Sequence, residues 1–199
     1  MEPTDRDLML AVRNGDGEKF GLLFDRYHQS LFSFFYRLSG NAASSEDLVQ
    51  DVFLRMLKYR RSFRPDSQFR AWMYQIARTA RIDRFNKYGA ETLQPFDGEA
   101  MADPLRAGRP DAHLEATERM ALLQKALLKM PEEKRELLVL ARFLDMEYGE
   151  IAVLLQIEAG AVKVRVHRAM NELRRIVNEM SGEPTPCNVK KPDPKLPTT

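Results

Sequence analysis

The stretch that decides the fold is EYGEIAVLLQIEAGAVKVRVHRA, residues 147–169. Its first part places Ile151, Ala152 and Leu155 on one face of a short helix, and Ile157 fills the corner that follows. Gly160 opens a second helix with an apolar stripe at 100° per residue. The stripe consists of Val162, Val166, Ala169 and Leu173. The pattern predicts two short helices that cross at a tight turn.

The opposite side of the second helix is polar and basic. It carries Lys163, Val164, His167, Arg168 and Asn171. Arg165 lies at the edge of the buried stripe, where it can brace the fold or reach a phosphate. A short helix, a tight turn and an outward basic helix form the geometry that inserts a recognition helix into the major groove. The alternative is a helical hairpin with a solvated basic face. The basic residues at the start of the second helix favour DNA binding.

The rest of the chain is also helical in pattern. Helices are predicted over residues 18–38, 68–88, 114–129, 148–155 and 160–178, and from Pro131 to about residue 144. Two more are predicted from their caps. One begins at Thr4, with Asp7 three residues on, and the other begins after a cap at Ser44 or Ser45. We find no alternating pattern of useful length that would indicate a strand. The sequence therefore predicts an all-α protein.

Two segments interrupt this helical pattern. Residues 89–113 contain three prolines and carry five acidic against two basic residues, a net charge of −3. Such a long aperiodic stretch predicts a flexible acidic linker between two small helical domains, 1–88 and 114–180. Residues 181–199 contain five prolines and few apolar residues, which predicts a disordered tail.

Composition excludes several classes of protein. The chain has 31 basic and 29 acidic residues, so net charge alone does not indicate nucleic-acid binding. The single cysteine, Cys187, excludes an internal disulfide framework and favours a reducing compartment. No apolar stretch approaches the ~20 residues needed to cross a bilayer, and the first residues lack the pattern of a signal peptide. We expect a cytoplasmic protein without membrane insertion, cofactor or metal, and no nucleophile–base pair indicates an enzyme.

Two motifs in the first half carry further information. In DLVQDVFLR, residues 47–55, a polar side formed by Asp47, Gln50, Asp51 and Arg55 lies opposite the apolar side. This side can dock a partner or simply face solvent. In FRAWMYQIARTARIDRF, residues 69–85, arginines alternate with aromatic residues, a combination that suits single-stranded DNA. Trp72 is interpreted first as a core residue and second as a stacking platform.

Together these motifs resemble the extracytoplasmic-function branch of the sigma-70 family. The first motif resembles region 2.2, which docks on the coiled coil of the polymerase β′ subunit, and the second resembles regions 2.3 and 2.4, which melt and read the −10 element. The helix-turn-helix resembles region 4, which reads the −35 element and contacts the β flap. The resemblance covers residues 20–88 and 114–176 and implies a sigma subunit of RNA polymerase, with an anti-sigma factor as a further partner.

The resemblance also implies roles for individual residues. Those expected to bind core polymerase are Asp47, Gln50, Asp51 and Arg55. Those expected to contact the −10 element are Arg78, Thr79, Arg81 and Arg84. Those expected to contact the −35 element are Lys163, Val164, Arg165, His167 and Arg168. The linker is expected to thread toward the polymerase active-site cleft.

Three positions depart from the family pattern. Thr79 stands where many relatives carry asparagine, so it offers fewer hydrogen-bonding groups to a flipped base. Val164 replaces a small polar residue and is predicted to contact a thymine methyl group. Gln156 stands where glycine is usual in the turn, which should cost about 1 kcal/mol if the residue needs a positive φ.

The main alternative is a helix-turn-helix regulator that is not a polymerase subunit. It explains the C-terminal third of the chain but neither the basic–aromatic helix nor the acidic linker.

Overall fold

The structure is a computed structural model that describes residues 2–89 and 113–182, with side chains described from residue 118 in the second range. All regular secondary structure in these ranges is helical, as the sequence predicts. The helices are α1 (Asp5–Arg13), α2 (Glu18–Ser39), α3 (Ala42–Lys58), α4 (Phe69–Tyr88), α5 (His113–Lys129), α6 (Glu132–Leu138), α7 (Tyr148–Leu155) and α8 (Ala159–Ser181). Nearly all of the predicted linker and tail lies outside the described residues.

Helix starts follow local capping chemistry. The Thr4 hydroxyl accepts a hydrogen bond from the Asp7 amide at 3.2 Å, and the Asp7 carboxylate accepts one from the Thr4 amide, which confirms the predicted start of α1. The predicted cap at Ser44 or Ser45 is wrong. Gly40 ends α2 in the left-handed conformation and leaves Asn41 extended, so the Asn41 side chain is the first acceptor that reaches the Ser44 amide, at 2.8 Å. Ser45 is buried inside α3 instead.

The helix-turn-helix forms as predicted. Val162, Val166, Ala169 and Leu173 are all buried on one side of α8. In α7 the buried residues are Ile151 and Leu154, and Leu155 is only partly buried. The predicted helix up to about residue 144 ends differently. The Leu144 amide donates to the Val139 carbonyl at 3.1 Å, so a π-helical turn, Val139–Phe143, continues α6.

The helices pack as two units that touch each other. We call α1–α4 the N-terminal unit and α5–α8 the C-terminal unit. Their buried apolar side chains form a continuous core, in which α2 contacts α5 and the π-helical turn while α4 contacts α7. Among the described residues, no helix is long and apolar enough to cross a membrane.

Candidate nucleic-acid and polymerase interfaces

The first turns of α8 present the predicted −35 residues to solvent. Lys163, Val164, Arg165, His167 and Arg168 are all exposed, opposite the buried stripe. Val164 lies at the centre of this face with half of its surface exposed, at 50%. Within the described part of the chain, the three cations of this face pair with no carboxylate. Their charge is therefore available to a phosphate or a base edge.

The turn between α7 and α8 sets the orientation of this face. Gln156 ends α7 in the left-handed conformation, with φ at 54°, and its amide donates to the Ala152 carbonyl. This reverses the chain within a few residues, so that α8 begins at Ala159. The expected cost at Gln156 depends on a positive φ, and the structure shows that this residue has one.

The predicted polymerase-binding residues share the outer side of α3, and two of them, Asp47 and Arg55, form ion pairs with α4. Arg55 donates to Asp51 at 3.0 Å and to Asp83 of α4 at 2.5 Å, and the hydrogen bond to Asp51 raises the pKa of Arg55. Asp47 accepts from Arg84 of α4 at 2.9 Å. The two carboxylates remain largely exposed, at 61% for Asp47 and 42% for Asp51. A cationic partner surface can reach both of them.

A groove beside these residues was not recognised from the sequence. It has a volume of about 330 Å³ and lies between α2 and α3, lined by Phe24, His28, Phe32, Val49 and Gln50 among others. Phe24 falls in the apolar periodicity of residues 18–38, which predicts a buried position, but its side chain is 42% exposed and stacks on His28. Phe20, Leu23 and Phe24 fall within a single stripe about 100° wide, so the periodicity carried no signal that Phe24 would be exposed. An apolar groove thus adjoins the charged outer side of α3.

The predicted −10 residues do not share one free face of α4. Arg84 turns toward α3, whereas Arg78 and Arg81 turn toward the C-terminal unit. Thr79 is exposed, but its hydroxyl donates to the Gln75 carbonyl of its own helix at 3.0 Å. The free face instead carries large apolar side chains that are about half exposed. They are Ile82 at 52%, Phe85 at 50% and Tyr88 at 51%.

The aromatic residues of α4 divide into core and surface residues. Trp72 is partly buried and packs edge-on against Phe63 with ring centroids 5.2 Å apart, in agreement with its first interpretation as a core residue. Phe85 and Tyr88 are half exposed, and the Lys87 ammonium lies over the Tyr88 ring, 4.9 Å from its centre. No group of three or more potential metal ligands gathers among residues 2–89 and 118–182.

Comparison with known proteins identifies both units. A family profile described as Sigma-70 region 2 matches residues 23–91, and one described as Sigma-70, region 4 matches residues 120–173. The chain is 28% identical to the ECF RNA polymerase sigma factor SigW of Bacillus subtilis, over 90% of this chain and all of that protein. It is 34% identical to the ECF RNA polymerase sigma factor EcfG of Rhodopseudomonas palustris, over 74% of this chain and 79% of that protein.

Solved structures agree with this comparison. The sigma factor RpoE of Bartonella quintana, in complex with the anti-sigma factor NepR, matches with a TM-score of 0.63 and 25% identity. That match covers 81% of this chain and 98% of RpoE. CnrH, in complex with the cytosolic domain of CnrY, matches with a TM-score of 0.66 and 26% identity, over 88% of this chain and 97% of CnrH.

Proposed function

The chain belongs to the extracytoplasmic-function group of the sigma-70 family, as an alternative sigma subunit of bacterial RNA polymerase, and we propose which of its surfaces carry each step of promoter recognition. The observation that supports the proposal is the exposed, unpaired basic face of α8 in the same chain as the polymerase-docking pattern of α3. A regulator outside the polymerase would explain only the first of these.

In this proposal the start of α8 reads the −35 element in the major groove. Lys163, Arg165 and Arg168 neutralise phosphates or donate to guanine, and His167 lies on the same face. The half-exposed Val164 contacts a thymine methyl group at the centre of that face.

The −10 element is read by α4. Arg78, Thr79, Arg81 and Arg84 supply the polar and cationic contacts, while Phe85 and Tyr88 offer flat surfaces to unstacked bases. The hydroxyl of Thr79 is already bonded within its helix, so a base that enters here must share or displace that contact.

Core polymerase binds at the outer side of α3. Asp47, Gln50, Asp51 and Arg55 form the charged part of this surface, with the β′ coiled coil as the expected partner, and the β flap contacts the C-terminal unit. The adjoining groove around Phe24 and Val49 extends the surface with apolar area that a protein partner can bury.

Further partners follow from the same assignment. We propose that an anti-sigma factor binds the chain, since RpoE and CnrH have been solved with such proteins or with a cytosolic partner domain. The chain acts in the cytoplasm, where RNA polymerase and promoter DNA are located, and it contributes binding and DNA melting without a catalytic site of its own.

Run-off transcription on a promoter library tests the proposal. Core RNA polymerase with this chain should produce defined transcripts whose start sites share −35 and −10 sequences, whereas core polymerase alone should not. Transcription that appears only after another sigma subunit is added would show a regulator and refute the proposal.

Single variants then test each surface. Lys163→Ala and Arg168→Ala should weaken transcription and its tolerance of salt. The matched control is Arg175→Ala, at the far end of α8, where Arg175 pairs with Glu179 at 2.5 Å. Asp51→Ala should reduce capture of core polymerase, whereas Asp66→Ala, in an exposed loop pair with Arg64, should leave it unchanged.

A further inference from the structure

A second cavity lies between α6 and the start of α8. Its volume is about 500 Å³, and residues of α4 and of the turn after α7 also line it. Pockets of about 300–1,000 Å³ have the size that takes small organic ligands. None of the surfaces proposed above for DNA or polymerase needs a cavity at this place. We call it the α6–α8 cleft.

Four cations from three helices line the α6–α8 cleft. They are Arg78 of α4, Lys134 of α6, and Arg165 and Arg168 of α8. Arg165 and Arg168 lie three residues apart, so their side chains project from neighbouring turns on the same side of the helix. Within the described residues, neither of them pairs with a carboxylate. The cleft therefore offers two adjacent guanidinium groups, which can bind phosphate oxygens in a bidentate manner.

The other two cations already have carboxylate partners. Arg78 binds the buried Glu136 at 2.8 Å, and both residues line the cleft. Lys134 binds Glu172 at 2.5 Å, but the lysine side chain is still 49% exposed. An ammonium group has three donors, and Glu172 occupies one of them. Lys134 can therefore add a contact to an anion that the arginines of α8 hold.

The lining of the cleft is not purely cationic. Leu137, Leu155 and Ile157 form an apolar wall, and the last two are only partly buried. Glu133 also lines the cleft, is exposed, and forms no ion pair within the described part of the chain. A carboxylate repels phosphate, but it accepts hydrogen bonds from ribose hydroxyls, as acidic residues do in dinucleotide-binding sites. A ligand that uses all three parts needs phosphate groups, hydroxyl donors and a flat apolar surface.

We propose that the α6–α8 cleft is a binding site for a nucleoside diphosphate. Arg165 and Arg168 hold the two phosphates, with a further contact from Lys134. The ribose hydroxyls donate to Glu133, and the base covers the apolar wall. A pyrophosphate ion uses only the phosphate contacts and meets the repulsion of Glu133 without compensation.

Nucleotide in the cleft competes with −35 DNA, because both ligands use the same two arginines. This consequence rests on the proposed role of α8, whereas nucleotide binding itself does not. A guanidinium fork that is bidentate to a nucleotide phosphate cannot also grip the DNA backbone. The coupling is reciprocal, so −35 DNA weakens nucleotide binding by the same factor. The cleft thus makes −35 recognition sensitive to the concentration of nucleotide.

Calorimetric titration of the full chain with ADP tests the site directly. Physiological salt screens long-range attraction between exposed charges, so weak non-specific binding of the anion is suppressed. ADP should bind at one saturable site with a Kd below about 1 mM. Pyrophosphate is the matched probe, because it carries the two phosphates without the ribose and the base. It should bind more weakly than ADP although its charge is higher.

Two variants test the placement of the ligand. Lys134→Ala should weaken ADP binding about three- to fivefold, since it removes one partly exposed cationic contact. Lys125→Ala is the matched control, because Lys125 is an exposed lysine of α5 that does not line the cleft. Glu133→Gln should lower the ratio of ADP affinity to pyrophosphate affinity, since it removes both the hydroxyl acceptor and the repulsion. Circular dichroism at 222 nm checks that each variant is folded.

Fluorescence anisotropy of a labelled −35 duplex tests the competition. ADP should displace the duplex from the wild-type chain, and Lys134→Ala should need about three- to fivefold more ADP for the same displacement. Lys125→Ala should behave as the wild type does. A chain that binds ADP but not the duplex would count against the proposed function of α8 and leave the nucleotide site standing.

The remaining outcomes decide the nucleotide site. Saturable ADP binding that Lys134→Ala weakens and Lys125→Ala does not supports it. The absence of saturable ADP binding overturns it, and equal ADP affinities for the two lysine variants overturn its placement in the cleft. Pyrophosphate binding as tight as ADP binding shows an anion site only and overturns the nucleotide assignment. ADP and duplex bound together without displacement overturn the shared use of Arg165 and Arg168.

Discussion

Replacing Gln156 by glycine should stabilise the C-terminal unit. Gln156 ends α7 with φ at 54° and ψ at 46°, and its side chain is exposed. A left-handed conformation costs an L-residue about 1–2 kcal/mol because the side chain approaches its own carbonyl. Glycine avoids this cost but loses about 0.5–1 kcal/mol through the greater freedom of its unfolded chain. The net gain in the free energy of unfolding should be about 0.5–1 kcal/mol.

Urea denaturation followed by circular dichroism at 222 nm measures this change. A thermal scan should show a rise in Tm of about 1–4 °C, given 2–4 °C per kcal/mol for a chain of this size. Gln156→Ala is the matched control, because it removes the same side chain but keeps the strained φ. It should be no more stable than the wild type.

A second position calibrates the result. Asp145 also has a positive φ, of 46°, but aspartate tolerates the left-handed region better than glutamine does. Asp145→Gly should therefore gain less than Gln156→Gly. The reasoning fails if Gln156→Gly lowers stability, or if Gln156→Ala matches its gain, since the effect would then lie in the side chain and not in the backbone.

Three further predictions concern the DNA-binding surfaces and their pairing. Val164→Ser should weaken the preference for thymine in the −35 element, measured on the promoter library; an unchanged preference would exclude the methyl contact. Arg78→Ala should lower the free energy of unfolding by about 1–3 kcal/mol, because it leaves the buried Glu136 without its ion-pair partner; equal urea midpoints for variant and wild type would contradict this. The hydrogen bond from Arg81 lowers the pKa of Glu132 below its ordinary 4.5, so this ion pair stabilises the contact between the N-terminal and C-terminal units above that pH and is lost as the pH falls through the lowered value. The radius of gyration, measured by small-angle X-ray scattering, should rise as the pH falls below 4.5, less so in Glu132→Gln, and an identical rise in that variant would refute the role of this pair.

The pairing of α4 changes how variants of its arginines are interpreted. Arg78 forms an ion pair with the buried Glu136 and donates to the Leu154 carbonyl near the end of α7, and it is also a predicted DNA contact. A loss of transcription in Arg78→Ala therefore combines loss of structure with loss of binding. Thr79 is exposed and bonded only within its helix, so Thr79→Ala reports on DNA contact without that complication.

The sequence by itself determined the helical fold, the helix-turn-helix and the family. These follow from apolar periodicity and from local chemistry, such as the Thr4–Asp7 cap, which act over a few residues and can be read along the chain. The wrong cap at Ser44 or Ser45 was also predicted from local chemistry alone. Ser44 and Ser45 are good caps in isolation, but the left-handed Gly40 brought Asn41 into position first.

Only the tertiary structure decided which polar faces are free. Lys163 and Arg78 look alike in the sequence as outward cations on amphipathic helices, yet one is exposed and the other binds Glu136, 58 residues away. Likewise, the sequence assigns Phe24 to the core, but it lines an open groove. The pairing of a charge depends on which helices meet across the chain. Periodicity specifies the face of each helix and carries no information about the partner that this face meets.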